Sequence, residues 1–351
     1  MKIAFTIATI SYLPRAFVLA SGFLKYNPDY KFLVFLLDPY DEHVNAFLHE
    51  RVTCIPIADI DNNLLNTLSG KLSVSEISFT LKSILSLHVI QKYPEAACYI
   101  YLDADIAFYQ SLLHAETLLR ENDFLLTPHF THPIKDDHIP TELDILRTGL
   151  YNMGFAAFKN TENVKNLLQW WKERVMLFGK ENHDLGLSAD QMWMSLTPLL
   201  FKNIGIIRNP GYNFAYWNIH ERSISFKNEI PMVNESYPLV FVHFADFDPE
   251  KPENFTNPKH FSRQKITGNN ALKQICRDYA TELLNSNYHA CSQIRSRYAT
   301  SSRWRAWRQL KKSTSLRDFI KFLSVFLFSL IPTVMKIFLR KFSLFILRNV
   351  K

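Results

Sequence analysis

Residues 99–108, Tyr-Ile-Tyr-Leu-Asp-Ala-Asp-Ile-Ala-Phe, decide how this chain is read. An apolar run, Tyr99 to Leu102, passes directly into Asp103-Ala104-Asp105, the pattern of a buried strand that ends in two neighbouring carboxylates. Ligands of open α/β sheets collect at the carboxyl ends of the strands. Paired acids at such an edge suit a hard divalent cation of the Mn²⁺ or Mg²⁺ type, which takes oxygen ligands and often shares them with a diphosphate. Two solvated acids at a strand end are the plainer alternative, and the buried character of Ile100 and Leu102 weighs against it. A phosphatase with Asp103 as nucleophile is a third reading. That chemistry asks for a small residue or Thr soon after the second acid, whereas Ile106-Ala107-Phe108 follow here.

Outward from this strand the chain alternates in the α/β manner. Residues 2–8 and 31–37 are short apolar strand candidates, and 15–26 between them has amphipathic helical spacing, with Pro14 well placed at a helix start. Residues 74–92 carry Ile77, Leu81, Ile84, Leu85 and Val89 at helical spacing, and the acid-bearing strand follows at 97–102. Residues 128–145, rich in Pro, His and Asp, predict a loop that serves a site. A strand at 153–158, helices at 162–177 and about 188–200, and a strand at 238–244 come next. The segment 246–262, with Pro249, Pro252 and Pro258, reads as loop, and a helix at 270–285 closes the globular part. The expected fold class is α/β, a single mixed sheet flanked by helices over residues 1–300. A separate basic and hydrophobic helical tail is expected over 301–351.

Composition narrows the function classes. The 351 residues are 47% hydrophobic and 14% aromatic, enough for a packed core. None of the nine glycines falls in a GxGxxG or GxxxxGK[ST] pattern, so dinucleotide-fold and P-loop readings lack support. The cysteines 54, 98, 276 and 291 are widely spaced, form no CxxC pair, and read as free thiols of a reducing compartment. Tyr12, Pro14 and Arg15 interrupt the N-terminal apolar run too early for a signal peptide, and a cytoplasmic catalytic domain is expected. The net charge of +7 is unevenly spread: residues 303–351 hold 12 Lys and Arg against one acid, Asp318, and the remainder holds 28 basic against 32 acidic residues. A folded basic face for nucleic acid is therefore not expected.

His243, at the end of the apolar run from Val240, is a plausible third metal ligand, and an imidazole beside two carboxylates favours Mn²⁺ over Mg²⁺. A satisfied core histidine is its ordinary alternative. Asn152, before Met153-Gly154-Phe155, and Asp190-Gln191 are polar residues set against apolar segments. Asp190 reads equally as the start of a helix. Asn213, Tyr216, Trp217 and Asn218 cluster in a probable loop of the kind that stacks on sugars.

Taken together, the segments IAFTIATISYL, FTLKSILSL, YLDADIAFY, TPHFTHP, RTGLYNMGFAAFKN, SADQMWMSLTPLLF, GYNFAYWNIHER and VFVHFADFDP run in order over roughly 2–285. In these the chain resembles the GT-A glycosyltransferases of the glycogenin and lipooligosaccharide galactosyltransferase type, in a bacterial branch of surface-polysaccharide synthesis. The resemblance implies transfer of a hexose from a nucleoside diphosphate sugar, most readily a UDP-hexose, to a glycan or glycolipid acceptor, with retention. It implies that Thr6, Ala8 and Tyr12 frame the base, and that Lys82 lies near the diphosphate or sugar. Asp103, Ala104 and Asp105 would meet the nucleotide sugar, with Asp103, Asp105 and His243 on Mn²⁺ or Mg²⁺. Asn152 and Asp190-Gln191 would surround the anomeric carbon. The family Gly three residues after the metal histidine is Asp246 here, and the usual Lys-Pro is displaced to Lys251-Pro252 or replaced by Lys259. A nucleotidyl or phosphoryl transferase using the same acid pair stays open as an alternative, as does a non-catalytic, membrane-tethered nucleotide-sugar-binding protein.

In the tail, the longest uncharged apolar run, Phe322 to Met335, is 14 residues and contains Pro332. A spanning helix needs about 20. Short apolar runs flanked by Lys and Arg, with Trp304 and Trp307 upstream, suit helices lying on an anionic membrane surface. The expected location is therefore peripheral, on the inner face of the plasma membrane.

Overall fold

The computed structural model of the protein describes residues 1–45, 51–182, 186–258, 262 and 268–299. Lys259 and the tail 301–351 lie outside the described residues. Nine strands position the site: β1 (Lys2–Ala8), β2 (Tyr30–Leu36), β3 (Val52–Pro56), β4 (Tyr99–Leu102), β5 (Ile106–Phe108), β6 (Phe124–Pro128), β7 (Tyr151–Phe158), β8 (Ile204–Ile206) and β9 (Phe241–His243). Seven of them form one mixed sheet in the order β8-β6-β7-β4-β1-β2-β3. β7 runs antiparallel to both β4 and β6, and the other pairings are parallel. The α/β class and the single mixed sheet expected from the sequence are what the structure shows.

Both faces of the sheet are covered, so its strands read as continuous apolar runs rather than alternating ones. Ala4 and Ala8 of β1 pack on the helix Leu13–Tyr26 through Ala16, Leu19, Ala20 and Phe23. Ile3, Phe5 and Ile7 pack on the opposite face, against Ile77, Leu81, Leu85 and Val89 of the helix Val74–Lys92. That helix starts with a reciprocal cap: Ser73 Oγ accepts from Glu76 N at 3.3 Å, and Glu76 Oε2 accepts from Ser73 N at 2.6 Å. A third apolar cluster joins Phe214, Trp217 and Phe244 to the helix Asn270–Asn285, with Phe244 stacked on Tyr279 at 3.9 Å.

Several expectations need correction. The loop expected over 128–145 ends early, because Thr141 and Asp144 cap a helix, Glu142–Thr148. The helix expected over 188–200 is two short ones, Gln191–Met194 and Thr197–Leu200, since Pro198 has no amide to continue the first. The strand expected over 238–244 narrows to β9. Tyr237–Pro238 instead closes a small separate sheet with Ile224–Lys227 and Ile230–Val233.

Candidate functional site

β4 delivers the residue that follows it to the site through a ladder-like contact, with Asp103 N donating to Gly154 O at 2.8 Å. The chain then turns and returns as β5, whose partner is β9, with His243 opposite Ile106. This pairing carries the imidazole to the acids across more than a hundred residues of sequence. His243 Nε2 lies 3.1 Å from Asp105 Oδ1 and 3.9 Å from Asp103 Oδ2. One ligand atom from each of the three falls within 4.8 Å of the others, the one such cluster among the described residues.

The ring is held from behind. Asn152 Oδ1 accepts from Gly154 N at 3.1 Å and faces His243 Nδ1 at 3.1 Å. An oxygen acceptor there keeps the proton on Nδ1 and leaves Nε2 facing the carboxylates, the tautomer a metal ligand needs. Asn152 Nδ2 in turn meets His129 Nε2 at 3.4 Å, and His129 Nδ1 meets Leu150 O at 3.3 Å. Burial pushes the His129 pKa down to about 4, so it stays neutral and accepts from the amide. Gly154 is required by close approach, since a Cβ there would collide with His243 Cε1 and come within 2.8 Å of Asn152 Oδ1. Trp217 sets its ring edge-on to His243 at 5.2 Å.

Lys82, buried on the inner face of its helix, answers the negative charge. Its Nζ lies 3.1 Å from Asp103 Oδ1, 3.3 Å from Asp190 Oδ2 and 3.0 Å from Met153 O. Burial alone would lower the Lys82 pKa, but Asp103 and Asp190 outweigh it and raise it. Asp190 is pushed up by burial, against the pull of Lys82. For His243 burial again favours the neutral ring, and Asp105, followed by Asp103, reverses the sign and raises it. Tyr101 Oη donates to Asp103 Oδ1 at 2.5 Å. Asp190 Oδ2 is buried, and among the described residues the Lys82 ammonium at 3.3 Å is the one partner it has. Asp190 does stand at the helix start suggested by the sequence, yet its side chain caps nothing and turns to Lys82 instead.

Asp103 and Asp105, but not Asp190, line a cavity of about 450 Å³ over the carboxyl ends of β1 and β4. Its lining includes Ala8, Tyr12, Phe79, Lys82, Asp103, Ala104 and Asp105. Of the residues expected around a base, Ala8 and Tyr12 line it, whereas Thr6 is buried inside β1 and does not. Gln191 Oε1 accepts from Met153 N at 3.4 Å, and Asn152 is spent on His243, so both stand behind the cavity wall. Asp246 adopts φ +57°, the left-handed backbone that a glycine would take without strain. His129 was missed by sequence reasoning. The one signal was its place in the TPHFTHP segment, which does not single out this histidine.

The donor set fits a divalent cation: two carboxylates and an imidazole with its outer nitrogen held, their ligand atoms converging at a cavity wall.

No protein-family model matches the chain. It is 28% identical over 207 residues to the uncharacterized protein YfnF of Bacillus subtilis (strain 168), 56% of this chain and 65% of that protein. The match thus spans just under two thirds of that relative's length. Among solved structures, the fold is similar to the galactosyltransferase LgtC in complex with donor and acceptor sugar analogs. The TM-score is 0.46 at 15% identity, over 80% of this chain and 95% of that one. It is also similar to the glycosyltransferase GlyE of Streptococcus pneumoniae TIGR4, with a TM-score of 0.45 at 14% identity, over 84% of this chain and 65% of that one. At such identities the likeness extends to no individual residue.

Proposed function

We propose that the protein is a divalent-metal-dependent glycosyltransferase that moves a hexose from a nucleoside diphosphate sugar to a glycan or glycolipid acceptor with retention. The observation that carries this reading is the convergence of Asp103, Asp105 and His243 on the wall of a cavity large enough for a nucleotide. Asp103 and Asp105 carboxylate oxygens and His243 Nε2 would hold Mn²⁺ or Mg²⁺. When bound, the cation would supply Lewis-acid stabilisation of the charge that gathers on a leaving diphosphate. Ala8 and Tyr12 would frame the base.

Asp190, buried beside Lys82 at 3.3 Å, would answer a sugar hydroxyl from behind the cavity lining, with Lys82 favouring its ionised form against the burial that raises its pKa. Lys82 can reach a phosphate only by giving up part of its hold on Asp103 or Asp190. Its main effect is to orient these two acids. Gln191 and Asn152 support the sugar end from behind, through Met153 and His243.

The test is release of nucleoside diphosphate with Mn²⁺ across UDP-, GDP- and dTDP-linked sugars. Asp103→Asn should lower Mn²⁺-stimulated release by at least about a hundredfold. Unchanged turnover removes the metal reading, and pyrophosphate as the product marks a nucleotidyl transferase instead.

The tail 301–351 supports attachment to an anionic membrane surface on the cytoplasmic face. Among the described residues, no helix is long and apolar enough to cross a membrane. Deleting 303–351 should move the protein from the membrane pellet to the supernatant while donor hydrolysis persists. A full-length protein that stays in the supernatant at low salt contradicts the attachment.

A further inference from the structure

The chain beyond the helix Asn270–Asn285 returns to the site. Cys291, at the end of the short helix Tyr288–Ser292, is buried in the core of one sheet face with Ile10 and Leu36. Tyr298, seven residues on, is buried in the core of the opposite face with Ile7 and Leu37. A segment anchored on both faces must cross the sheet's edge. It does so over the carboxyl ends of β1 and β2, where ligands of such sheets sit. On the way, Ile294, Arg295, Ser296 and Ala299 line the same cavity as Asp103 and Asp105.

The crossing is tied by one buried carboxylate. Asp38, just past β2, accepts from Ser296 Oγ at 2.6 Å and Arg297 N at 2.9 Å through Oδ1, and from Ile10 N at 3.1 Å through Oδ2. Charge-assisted bonds of this kind hold geometry firmly. Charge distribution in the cavity points the same way. Of the two cations that line it, Lys82 is committed to Asp103 and Asp190. Arg295 makes one long bond, to Ala299 O at 3.4 Å, and no carboxylate among the described residues stands at ion-pair distance from it. Arg295 is exposed, so its guanidinium is free to turn toward a ligand.

We infer that Ile294–Ala299 is a structural part of the nucleotide site, with Arg295 facing the anionic nucleotide and Asp38 as the positioning residue that holds the strap in place. This rests on the nucleotide-sugar reading of the cavity. It places a cation at the cavity on a segment some fifty residues after Asp246. Such an assignment also means that the catalytic unit extends through Ala299 and cannot be trimmed at the end of the helix Asn270–Asn285.

The experiment uses the full-length protein with Mn²⁺ and titrates UDP, GDP and dTDP by calorimetry. Amide exchange over 294–299 is followed with and without the nucleotide that binds. Arg295→Ala should weaken that nucleotide about tenfold, and Arg295→Lys should recover part of the loss. Asp38→Asn, which sets an amide donor against a backbone N–H, should weaken it comparably and erase the protection that the nucleotide gives to 294–299 in the parent protein. Mn²⁺ binding without nucleotide should stay within about twofold in all three variants, which separates loss of the strap from a damaged metal corner. If the parent protein binds a nucleotide, but Arg295→Ala and Asp38→Asn bind it equally well with no protection of 294–299, the strap inference is overturned and the glycosyltransferase reading survives. If the parent protein binds none of the three, that reading fails and the strap inference goes with it.

Discussion

Two buried charge clusters in this molecule look alike on first inspection and differ in one respect. At Glu221 the charge is closed. The carboxylate accepts from Arg222 Nε at 3.1 Å, from Thr131 N at 2.9 Å and Oγ1 at 3.1 Å, and from His132 N at 2.6 Å. Arg222 Nη1 donates to Pro210 O at 3.2 Å and Tyr212 O at 2.7 Å. Both oxygens of Glu221 have donors, and the pair staples the loop before Ile134 to the chain beyond Trp217. At the candidate metal corner three acids, Asp103, Asp105 and Asp190, share one lysine and one histidine, and Asp190 Oδ2 has only the Lys82 ammonium at 3.3 Å. A cluster that is satisfied holds a fold together. One that is left short of positive charge and donors is prepared for something to arrive.

The comparison can be broken in three ways. The largest effect is expected at the closed cluster. Glu221→Gln leaves Arg222 buried against a neutral amide and should cost about 3–5 kcal/mol of stability by denaturant unfolding, with Mn²⁺ binding unchanged. Asp103→Asn should show the opposite profile, losing metal-stimulated turnover with no such loss of stability. If both variants lose stability equally, the distinction between the clusters is wrong.

Next comes acid. The folded-state pKa of His129 is depressed to about 4 from an ordinary value near 6.5. A neutral buried imidazole stabilises the fold fully above the unfolded value, and that contribution is lost as pH falls toward the folded one. The full span is on the order of 3 kcal/mol. Stability measured from pH 7 down to pH 4 should decline in the parent protein and decline less in His129→Asn. A parallel decline in the two removes His129 as the cause.

The smallest effect sharpens the metal corner itself. Asn152→Ala removes the acceptor at His243 Nδ1 and should weaken Mn²⁺ about tenfold to a hundredfold, because the ring loses its tautomer and its orientation. Equal affinity in the two proteins means that β9 alone orients the ring.

Much of the framework was legible along the chain. The helix over 74–92 carries its own start signal in Ser73 and Glu76, and residues 3–8 are apolar except for Thr6 because both faces of the sheet are covered. What was not legible depends on partners. The strand β3 mixes an exposed Thr53 with half-buried Cys54 and Pro56 and is a strand because β2 offers it a free edge. Asp190 looked like a possible cap, and only the approach of Lys82 from another helix makes it part of the corner. His129 is unremarkable in sequence, and Asn152 stood out there as a candidate at the sugar rather than as the residue behind His243. Their link to His243 exists because β6, β7 and β9 bring three distant segments together.

The sequence by itself determined the apolar strand that ends in two acids, the helices that cover it and the uneven charge of the tail, since each is a local pattern of residue type and spacing. Tertiary structure alone decided which nitrogen of His243 faces those acids, which two carboxylates Lys82 holds, and that Ile294–Ala299 returns to line the cavity. The reason is physical: a side chain's tautomer, charge and free donors are set by neighbours that meet it only after folding.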